Sequence, residues 1–331
     1  MDWLNPCLFT GVALLIDYLV GDPPRIPHPV VLIGRWIKCI DESWNQHPSA
    51  FVRSRILGSM LTVATVVGAG ALTWLILYLL HFVSPWLAIL ANVWLISTTI
   101  AWRGLLKAGQ SVQKALQRDG IEAGRAAVAM IVGRDTAHLD EAEVTRACVE
   151  TLAENIVDAI VSPVVFGCIG GAPLAMAYRA ANTLDSMVGY RSARHRHFGW
   201  SSARLDDLLN YVPARLTALL LFVAIALCKG HAHRAWRTWR RDAHLHPSPN
   251  SGIPESMVAG ALGVQLGGQN VYDGVLSNRA TMGDATRSLE SADIRRTAHL
   301  VSAVSWVLFA AALVAAGVWW GFAEGVRPWG A

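Results

Sequence analysis

Long stretches of the chain contain no charged residue, and they indicate how the chain folds. Residues 56–102 contain no Asp, Glu, Lys or Arg, and His81, Ser84 and Pro85 lie near their middle. A helix needs about 20 predominantly apolar residues to span a bilayer. The run therefore predicts two spans, 56–80 and 86–102, joined by a tight turn. A second charge-free run, 300–322, predicts another span.

Three further apolar segments are less regular. Residues 156–178 contain Asp158 and a Gly-Gly-Ala-Pro sequence. Glycine and proline interrupt membrane helices only where the freed backbone is buried in protein, so this segment predicts a broken or re-entrant helix. Residues 213–228 and 8–20 are shorter candidates with one charged residue each.

The polar sequence between these segments has helical rather than strand character. Residues 103–154 carry apolar side chains at helical spacing, and we find no alternating pattern typical of a half-buried strand. No repeat of fixed period and no long linker occurs. The prediction is an all-α, polytopic integral membrane protein with polar helical loops, forming a single membrane-embedded domain over residues 1–331.

Composition supports a membrane protein and excludes several other classes. Of the 331 residues, 53% are hydrophobic and 16% are charged, against about 25% charged in soluble domains. Such hydrophobicity excludes a disordered chain. Five cysteines, odd in number and scattered, exclude a disulfide scaffold. A formal net charge of +4 is too small to indicate nucleic-acid binding.

Basic residues in the loops predict part of the topology. Residues 21–55 contain five Lys or Arg and residues 103–155 contain seven, and both loops flank the predicted 56–102 helical hairpin. The positive-inside rule puts both loops in the cytoplasm. Residues 179–211 and 229–299 are also basic, but a single candidate span separates them. The number of crossings therefore stays open.

Four polar clusters lie beside or inside the apolar segments, where polar residues are costly and often functional. The first, residues 17–29, is a rigid loop rich in proline that presents Arg25 and His28 beside Asp17 and Asp22. For this loop taken alone, a structural turn with an internal ion pair is the simpler interpretation.

The second cluster is a row of acids, Glu150, Glu154 and Asp158, on one face of a predicted helix at i, i+4 and i+8. Like charges at this spacing destabilise a helix. We therefore expect an offsetting cation: Arg146 one turn earlier, another segment, or a divalent metal. The alternative, a solvated helix face, suits Glu150 well and Asp158 poorly.

The third cluster falls on two successive predicted helices: Arg179, Asn182, Asp185, Ser186 and Arg191 on or just after the first, and Asp206, Asp207, Asn210 and Arg215 on the second. Adjacent aspartates near an arginine can hold Mg²⁺. They can equally pair with Arg204 and Arg215, and both interpretations stay open.

The fourth cluster is His246-Pro-Ser-Pro-Asn-Ser-Gly-Ile-Pro-Glu255. Asn250 or Ser251 is a good helix N-cap, with Glu255 in the first turn. The exposed N–H groups of such a start suit a phosphate or carboxylate, although capping alone also explains the pattern. Neither a P-loop nor a Rossmann fingerprint occurs.

Taken together, the clusters resemble the integral-membrane adenosylcobinamide-phosphate synthases of cobalamin biosynthesis, the CbiB/CobD type. The matching segments occur in the family's order: DYLVGDPPRIPHPVVLIG (17–34), ETLAENIVDAIVSP (150–163), ANTLDSMVGYR (181–191), FGWSSARLDDLLNYVPAR (198–215), HPSPNSGIPE (246–255) and LGGQNVYDG (266–274). Each is weak alone, but six in order are specific. The departures lie in residues 192–197.

The resemblance implies an ATP-dependent acid–amine ligation. Aminopropanol phosphate, or free aminopropanol, would be joined to the one free propionate carboxylate of adenosylcobyric acid to give adenosylcobinamide phosphate or adenosylcobinamide. The chemically sensible route forms an acyl phosphate from ATP, which the neutral amine then attacks. Such a site needs Mg²⁺, cations for phosphates, a base for the ammonium and exclusion of water.

The clusters supply side chains for each of these roles, as hypotheses. For the base we propose His28, His246 and Glu154, since an unperturbed His pKa suits the task. The metal candidates are Asp158, Asp185, Asp206 and Asp207. For phosphates and for the corrin's amide rim we propose Arg25, Arg179, Asn182, Arg191, Asn210, Arg215, Asn250 and Ser251.

The resemblance also implies the surroundings of the protein. We expect a multi-pass protein of the inner membrane with a cytoplasmic active face, no nucleic-acid partner, and association with other late cobalamin-pathway membrane enzymes or with further copies of the chain as open options. Two rival classes remain. A transporter would also place Asp158 and a broken helix at the midplane. A non-catalytic membrane signalling protein would not need all four clusters.

Overall fold

The computed structural model describes residues 5–23, 27–46, 51–190, 192–272 and 274–325, with side chains up to Gly321. Within this part the chain forms thirteen α-helices: α1 (Pro6–Leu19), α2 (Pro29–Trp44), α3 (Phe51–Val83), α4 (Pro85–Ser97), α5 (Trp102–Arg118), α6 (Ile121–Ala129), α7 (Glu141–Ile156), α8 (Ser162–Val188), α9 (Trp200–Leu209), α10 (Tyr211–Leu227), α11 (Ala232–Asp242), α12 (Gly252–Leu262) and α13 (Ala292–Gly325).

Short elements join some of these helices. A π-helical turn, Val157–Val161, connects α7 to α8, and a 3₁₀ turn, Ala243–Leu245, follows α11. An antiparallel hairpin is formed by β1 (Leu266–Tyr272) and β2 (Val275–Met282). Our expectation of no β structure is therefore wrong at this one place.

Four helical segments in the described residues are long and apolar enough to cross a membrane: Phe51–Val83, Pro85–Arg118, Glu141–Val188 and Ala292–Gly321. The pair α9 and α10 makes a fifth if it is one broken span. The prediction of an all-α polytopic membrane protein is confirmed, and the hairpin is a small addition to it.

The predicted segments match these helices with shifted ends. The turn expected near Pro85 is a single residue, Ser84, between α3 and α4. The apolar helix α4 ends at Ser97, earlier than residue 102. Residues 213–228 form most of α10, whereas residues 8–20 correspond to α1, which at 14 residues is shorter than a span.

By internal contacts the chain divides into two compact units. Unit 1 comprises residues 1–101, 162–209 and 309–331, and unit 2 comprises residues 102–161 and 210–308. The single domain over residues 1–331 stays a prediction, and each unit is described by itself.

Unit 1 is built around apolar helix packing. Its buried core contains Ile37, Leu61, Leu184, Val188 and Phe198. Helix α3 approaches the Phe198 backbone so closely that a Cβ on Gly58 would lie 1.8 Å from the Phe198 carbonyl oxygen. Glycine is therefore required at this position for the packing.

Helix α8 is broken, as its glycines and proline predict. Gly170 and Gly171 leave the helical conformation, with Gly171 at φ +62°. The asparagine side chain of Asn92 accepts a hydrogen bond from the freed N–H of Ala172 at 3.0 Å. The break is thus satisfied by protein, as a membrane interior requires.

Unit 2 contains the more polar helices. At the start of α7, Asp140 and Glu143 form a capping box, in which each side chain accepts a hydrogen bond from the other residue's backbone N–H. Helix α5 buries Leu105, Val112 and Leu116, three members of the apolar stripe that the sequence predicts. These helices carry the hairpin and most of the charged groups described next.

Candidate active site

A buried ion cluster in unit 2 surrounds Glu150 on α7. Its carboxylate pairs with Arg134 and, at 3.2 Å, with Arg146, and all three residues are buried. The cation expected one turn before Glu150 is therefore confirmed. The interpretation of Glu150 as part of a solvated face is wrong, because Arg134 and the hairpin cover it.

The same two arginines hold the hairpin. Arg146 donates to the backbone carbonyls of Gly267 at 2.6 Å and Gln269 at 2.9 Å. Arg134 and Arg146 both donate to Oδ1 of Asn270, at 2.5 and 3.1 Å. In return, the backbone N–H of Gly267 donates to Glu150 at 2.7 Å. The glycine-rich LGGQN segment is thus fixed to α7 by charge-assisted hydrogen bonds.

The carboxylate of Glu154 lies one turn beyond Glu150. Its Oε1 accepts a hydrogen bond from Ser251 Oγ at 2.8 Å, so the second and fourth sequence clusters meet here. Asp158 lies in the π-helical turn, where the wider turn interrupts the α-helical spacing. The expected i, i+4, i+8 row therefore ends at Glu154 as a regular α-helical face.

His246 and Glu255 form a buried pair beside this carboxylate, with His246 Nε2 3.5 Å from Glu255 Oε1. The Nδ1 of His246 lies 3.0 Å from the Ser248 nitrogen and 3.3 Å from the Ser248 carbonyl oxygen, and its Nε2 is buried without a hydrogen-bond partner among the described residues. Burial lowers the pKa of His246. Burial, reinforced by the nearby carboxylates of Glu154 and Glu150, raises the pKa of Glu255 well above its ordinary value.

The start of α12 lies against Arg215. Nη1 of Arg215 donates to Asn250 Oδ1 at 2.9 Å and to the Tyr211 carbonyl, and its guanidinium stacks 3.5 Å from the centre of the Tyr211 ring. Ser251 is the residue before the helix, as predicted, but its side chain makes no capping hydrogen bond. It bonds Glu154 instead. Asn210, just before α10, is buried.

In unit 1 the third cluster is partly assembled. Arg179 donates to Asn182 Oδ1, and Asn182 Nδ2 donates to Asp206 Oδ1, each at 3.3 Å. Asn182 and Asp206 are buried, and Nε of Arg179 is buried with no hydrogen-bond partner among the described residues. Asp185 and Asp207, on the same two helices, are half-buried.

The first cluster is also in unit 1. His28 Nε2 lies 3.1 Å from Asp22 Oδ1, and its Nδ1 accepts from the Val30 N–H as the N-cap of α2. Both residues line a cavity of about 110 Å³. Two other predicted site residues, Arg25 and Arg191, lie outside the described residues.

No group of three or more His, Cys, Asp or Glu side chains in the described part of the chain is arranged to hold a metal ion. Mg²⁺ needs only one or two protein carboxylates when waters and phosphates complete its shell. The metal assignments of Asp158, Asp185, Asp206 and Asp207 stay predictions.

Comparison with known proteins identifies the family. The family model described as "CobD/Cbib protein" matches residues 10–301. The chain belongs to the CobD/CbiB family. It is 44% identical over 305 residues to the "Cobalamin biosynthesis protein CbiB" of Salmonella typhimurium, covering 92% of this chain and 95% of that protein.

A second relative of the CobD/CbiB family is the "Cobalamin biosynthesis protein CobD" of Klebsiella pneumoniae. It is 44% identical over 302 residues, which cover 91% of this chain and 93% of that protein. No solved structure shows a significant match. The resemblance seen in the sequence motifs is thus confirmed at the level of the family.

Sequence reasoning missed several residues that this geometry brings together in unit 2. Glu255 is the last residue of the matched segment HPSPNSGIPE. Its position four residues after Ser251 was the feature of the sequence that indicated a shared site. The sequence near Arg134 and Asn270 did not indicate a role for either residue. Arg134 contacts Glu150, which is 16 residues away, and Asn270, which is 136 residues away. The hairpin itself was signalled by Asp273-Gly274, a dipeptide favoured in two-residue hairpin loops.

Proposed function

We propose that this protein catalyses the ATP-dependent ligation of aminopropanol phosphate, or aminopropanol, to the free propionate carboxylate of adenosylcobyric acid. The product would be adenosylcobinamide phosphate or adenosylcobinamide. The names of the relatives support a role in cobalamin biosynthesis. The observation that carries the reaction class is the meeting of Glu154, Ser251, His246 and Glu255 in unit 2.

An amine attacks only in its neutral form, so the site needs a proton acceptor. The Nδ1 of His28 accepts a hydrogen bond from the Val30 N–H, and the Nδ1 of His246 is engaged by the backbone of Ser248. The half-buried carboxylate of Glu154 accepts one hydrogen bond, from Ser251, and keeps further acceptor capacity. Among the three predicted bases, Glu154 is therefore the best placed to take the ammonium proton, with Ser251 orienting its carboxylate.

Phosphate and Mg²⁺ fit the third cluster chemically. The buried Nε of Arg179 lacks a partner among the described residues, which suits an anionic oxygen, and the carboxylate of Asp206 is an oxygen ligand of the kind Mg²⁺ prefers. Arg179 would contact a phosphate, and Asp206 with Asp207 or Asp185 would hold the metal. Bound ATP and Mg²⁺ would supply activation of the carboxylate as an acyl donor.

The apolar helices support a multi-pass membrane location. We propose the inner membrane, with the active face in the cytoplasm, where the basic loops around residues 21–55 and 103–155 are expected. ATP would be available on that face.

The decisive experiment is ligation with purified protein in detergent. Adenosylcobyric acid, aminopropanol phosphate, ATP and Mg²⁺ are incubated together, and the corrinoid product is separated by chromatography and identified by mass. Glu154→Gln should reduce the rate at least ~100-fold, the usual contribution of a positioned base. Glu141→Gln, an exposed acid on the same helix, is the matched control and should react like the unaltered protein.

Absence of a corrinoid product with the unaltered protein would overturn the proposed reaction. Product formed equally well without ATP would remove the ligase assignment. A full rate for the Glu154→Gln variant would remove Glu154 as the base.

A further inference from the structure

A shallow groove runs along the exposed face of α3 in unit 1, near the start of that helix, and its volume is about 610 Å³. Its lining combines a cation, a hydroxyl group and apolar side chains: Arg55, Ile56, Ser59, Met60, Val63 and Ala64. None of these residues belongs to the candidate active site or to the six matched sequence segments. The proposed reaction therefore leaves the groove without a role.

The apolar part of the groove faces outward. Ile56, Met60 and Val63 follow one another at i, i+4 and i+7, which is one face of the helix, and each is more than half exposed. Helix α3 is one of the segments that are long and apolar enough to cross a membrane. Exposed apolar side chains on such a helix contact acyl chains rather than water. The groove therefore opens toward lipid.

Arg55 lies at the polar end of the groove and is half-buried. Its guanidinium carbon is 4.5 Å from the centre of the Phe51 ring and 4.6 Å from the centre of the Trp200 ring, and such contacts use none of its N–H groups. Its Nε is buried without a hydrogen-bond partner, whereas its two Nη groups are not buried and form no hydrogen bond or ion pair with the described residues. The two rings thus hold the cation in place, and its Nη donors are available to a ligand.

Ser59 adds a second donor at the polar end. It lies one turn after Arg55 and is half-buried, and its hydroxyl forms no hydrogen bond with the described residues. From Arg55 to Val63 the helix rises about 12 Å, at about 1.5 Å per residue, so the donors are followed by an apolar path of that length. The groove therefore has polar and apolar ends in the same order as a phospholipid, in which the phosphate and the ester groups precede the acyl chains.

We propose that this groove binds an anionic phospholipid. Both Nη groups of Arg55 would donate to its phosphate in the paired geometry that a guanidinium favours, and Ser59 would donate to an ester carbonyl. One acyl chain would lie along Ile56, Met60 and Val63. A zwitterionic lipid would bring an ammonium group close to Arg55, and the described lining has no acidic residue to pair with it, so the anionic lipid is preferred. Free phosphate would leave the apolar path uncovered.

The test measures lipid binding in the absence of any substrate, so that it does not depend on the proposed reaction. The purified protein in detergent is titrated with phosphatidylglycerol, with phosphatidylcholine and with inorganic phosphate, and native mass spectrometry gives the fraction of protein that carries each ligand. The main variant is Arg55→Gln. Its matched control is Arg53→Gln, which removes an exposed arginine from the same helix outside the groove lining.

The unaltered protein should bind phosphatidylglycerol more tightly than phosphatidylcholine and should retain no inorganic phosphate. Arg55→Gln should weaken phosphatidylglycerol binding about tenfold, the effect of a lost hydrogen bond to a charged group, and should remove the preference over phosphatidylcholine. Arg53→Gln should weaken it less than about threefold, because solvent and salt screen an exposed cation.

A second variant covers the case in which Arg55→Gln does not fold. Ser59→Trp fills the groove beside Arg55 and leaves the cation and its two aromatic contacts in place. It should weaken phosphatidylglycerol binding by a similar factor. The unfolding midpoint measured without added lipid shows whether each variant is folded.

Equal binding of phosphatidylglycerol and phosphatidylcholine by the unaltered protein would overturn the site, as would an equal loss in Arg55→Gln and Arg53→Gln. Unchanged binding in folded Ser59→Trp would show that the lipid lies elsewhere. Retention of inorganic phosphate at Arg55 would mean that the site is for a free anion. A lipid-free dimer that Arg55→Gln or Ser59→Trp dissociates would mean that a second copy of the chain covers the groove, and it would also overturn the proposal.

Discussion

The two units differ in what they bury. Unit 1 buries apolar side chains such as Leu61 and Phe198, and its helix α3 exposes large apolar residues, among them Trp74 and Phe82. Unit 2 buries charge, with Glu150, Arg134 and Arg146 all below one tenth exposed. Exposed apolar helices of this length are typical of lipid-facing segments. Contact with lipid does not explain the buried charges of unit 2, because removing each ion from water costs several kcal/mol.

The difference is one of proportion, because unit 1 also contains the third cluster around the buried Asp206. Apolar packing in unit 1 gives stability without further requirements. In unit 2 the polar groups of the candidate site are tied to one another: Glu150 to Arg146 and the Gly267 N–H, the half-buried Glu154 to Ser251, and His246 to Glu255. A network of this kind is more often retained for a function than for stability.

The largest effect on stability is expected when the Glu150 carboxylate is removed from the buried ion cluster of unit 2. Glu150→Gln leaves two buried guanidinium groups without a counter-charge and should cost about 3–5 kcal/mol of folding free energy. The measurement is thermal unfolding in detergent. Glu122→Gln removes an equal charge from an ion pair with Arg125 in which the acid is 80% exposed, and it should cost less than about 1 kcal/mol.

Similar midpoints for Glu150→Gln and Glu122→Gln would contradict this prediction. The buried cluster would then contribute no more than a surface pair, and the distinction between the units would lose its energetic basis.

The matching change in unit 1 is steric. Gly58→Ala would place a Cβ 1.8 Å from the Phe198 carbonyl oxygen, so α3 or the Phe198 backbone must move, at a cost of about 1–3 kcal/mol. Gly68→Ala is the control in the same helix, because nothing lies within 4 Å of its Cβ position. There the better helix propensity of alanine should raise the unfolding midpoint. Stabilisation by both changes would show that α3 is not held against Phe198.

The apolar framework was predictable because lipid-facing helices are encoded locally. A charge-free run such as 56–102 has few alternatives in a membrane, and α3 and α4 fall where that run predicts. The break at Gly170 and Gly171 was likewise visible in residue type alone. These features needed no knowledge of distant contacts.

The charged centre was less predictable, because its geometry depends on distant partners. Glu150 looked solvated in its own helix, and only Arg134 and the hairpin bury it. Sequence motifs named His246, Glu154 and Ser251 separately, but they did not show that Ser251 reaches Glu154 across 97 positions of the chain. The π-helical turn at Asp158 also gave no signal, since a single extra residue per turn has no fixed composition.

The smallest effect on stability is expected at Glu255. A buried neutral acid at this position would distinguish unit 2 from a network that consists only of ion pairs. Its pKa is raised by burial and by Glu154 and Glu150, against the opposing charges of Arg279 and Arg134. The native state therefore holds a proton that the unfolded chain releases near pH 4.3. From about pH 4.3 up to the raised native pKa the unfolded state binds fewer protons, so stability falls as pH rises, by at most ~1.4 kcal/mol per pH unit.

Glu255→Gln replaces the protonated acid with a neutral side chain of the same shape and should remove this slope, with a gain on the order of 1 kcal/mol near neutral pH. The His246 contribution has the opposite sign: its pKa is lowered, so the stability it contributes is lost as pH falls below about 6.5, and its contact with Glu255 makes that loss sensitive to the Glu255→Gln change. The informative quantity is therefore the difference between the two unfolding midpoints above about pH 6.5, where His246 is neutral. A difference that grows with pH means that Glu255 is buried as the neutral acid. A constant difference would mean that it is an ordinary carboxylate, and unit 2 would then bury a second carboxylate charge near Glu150.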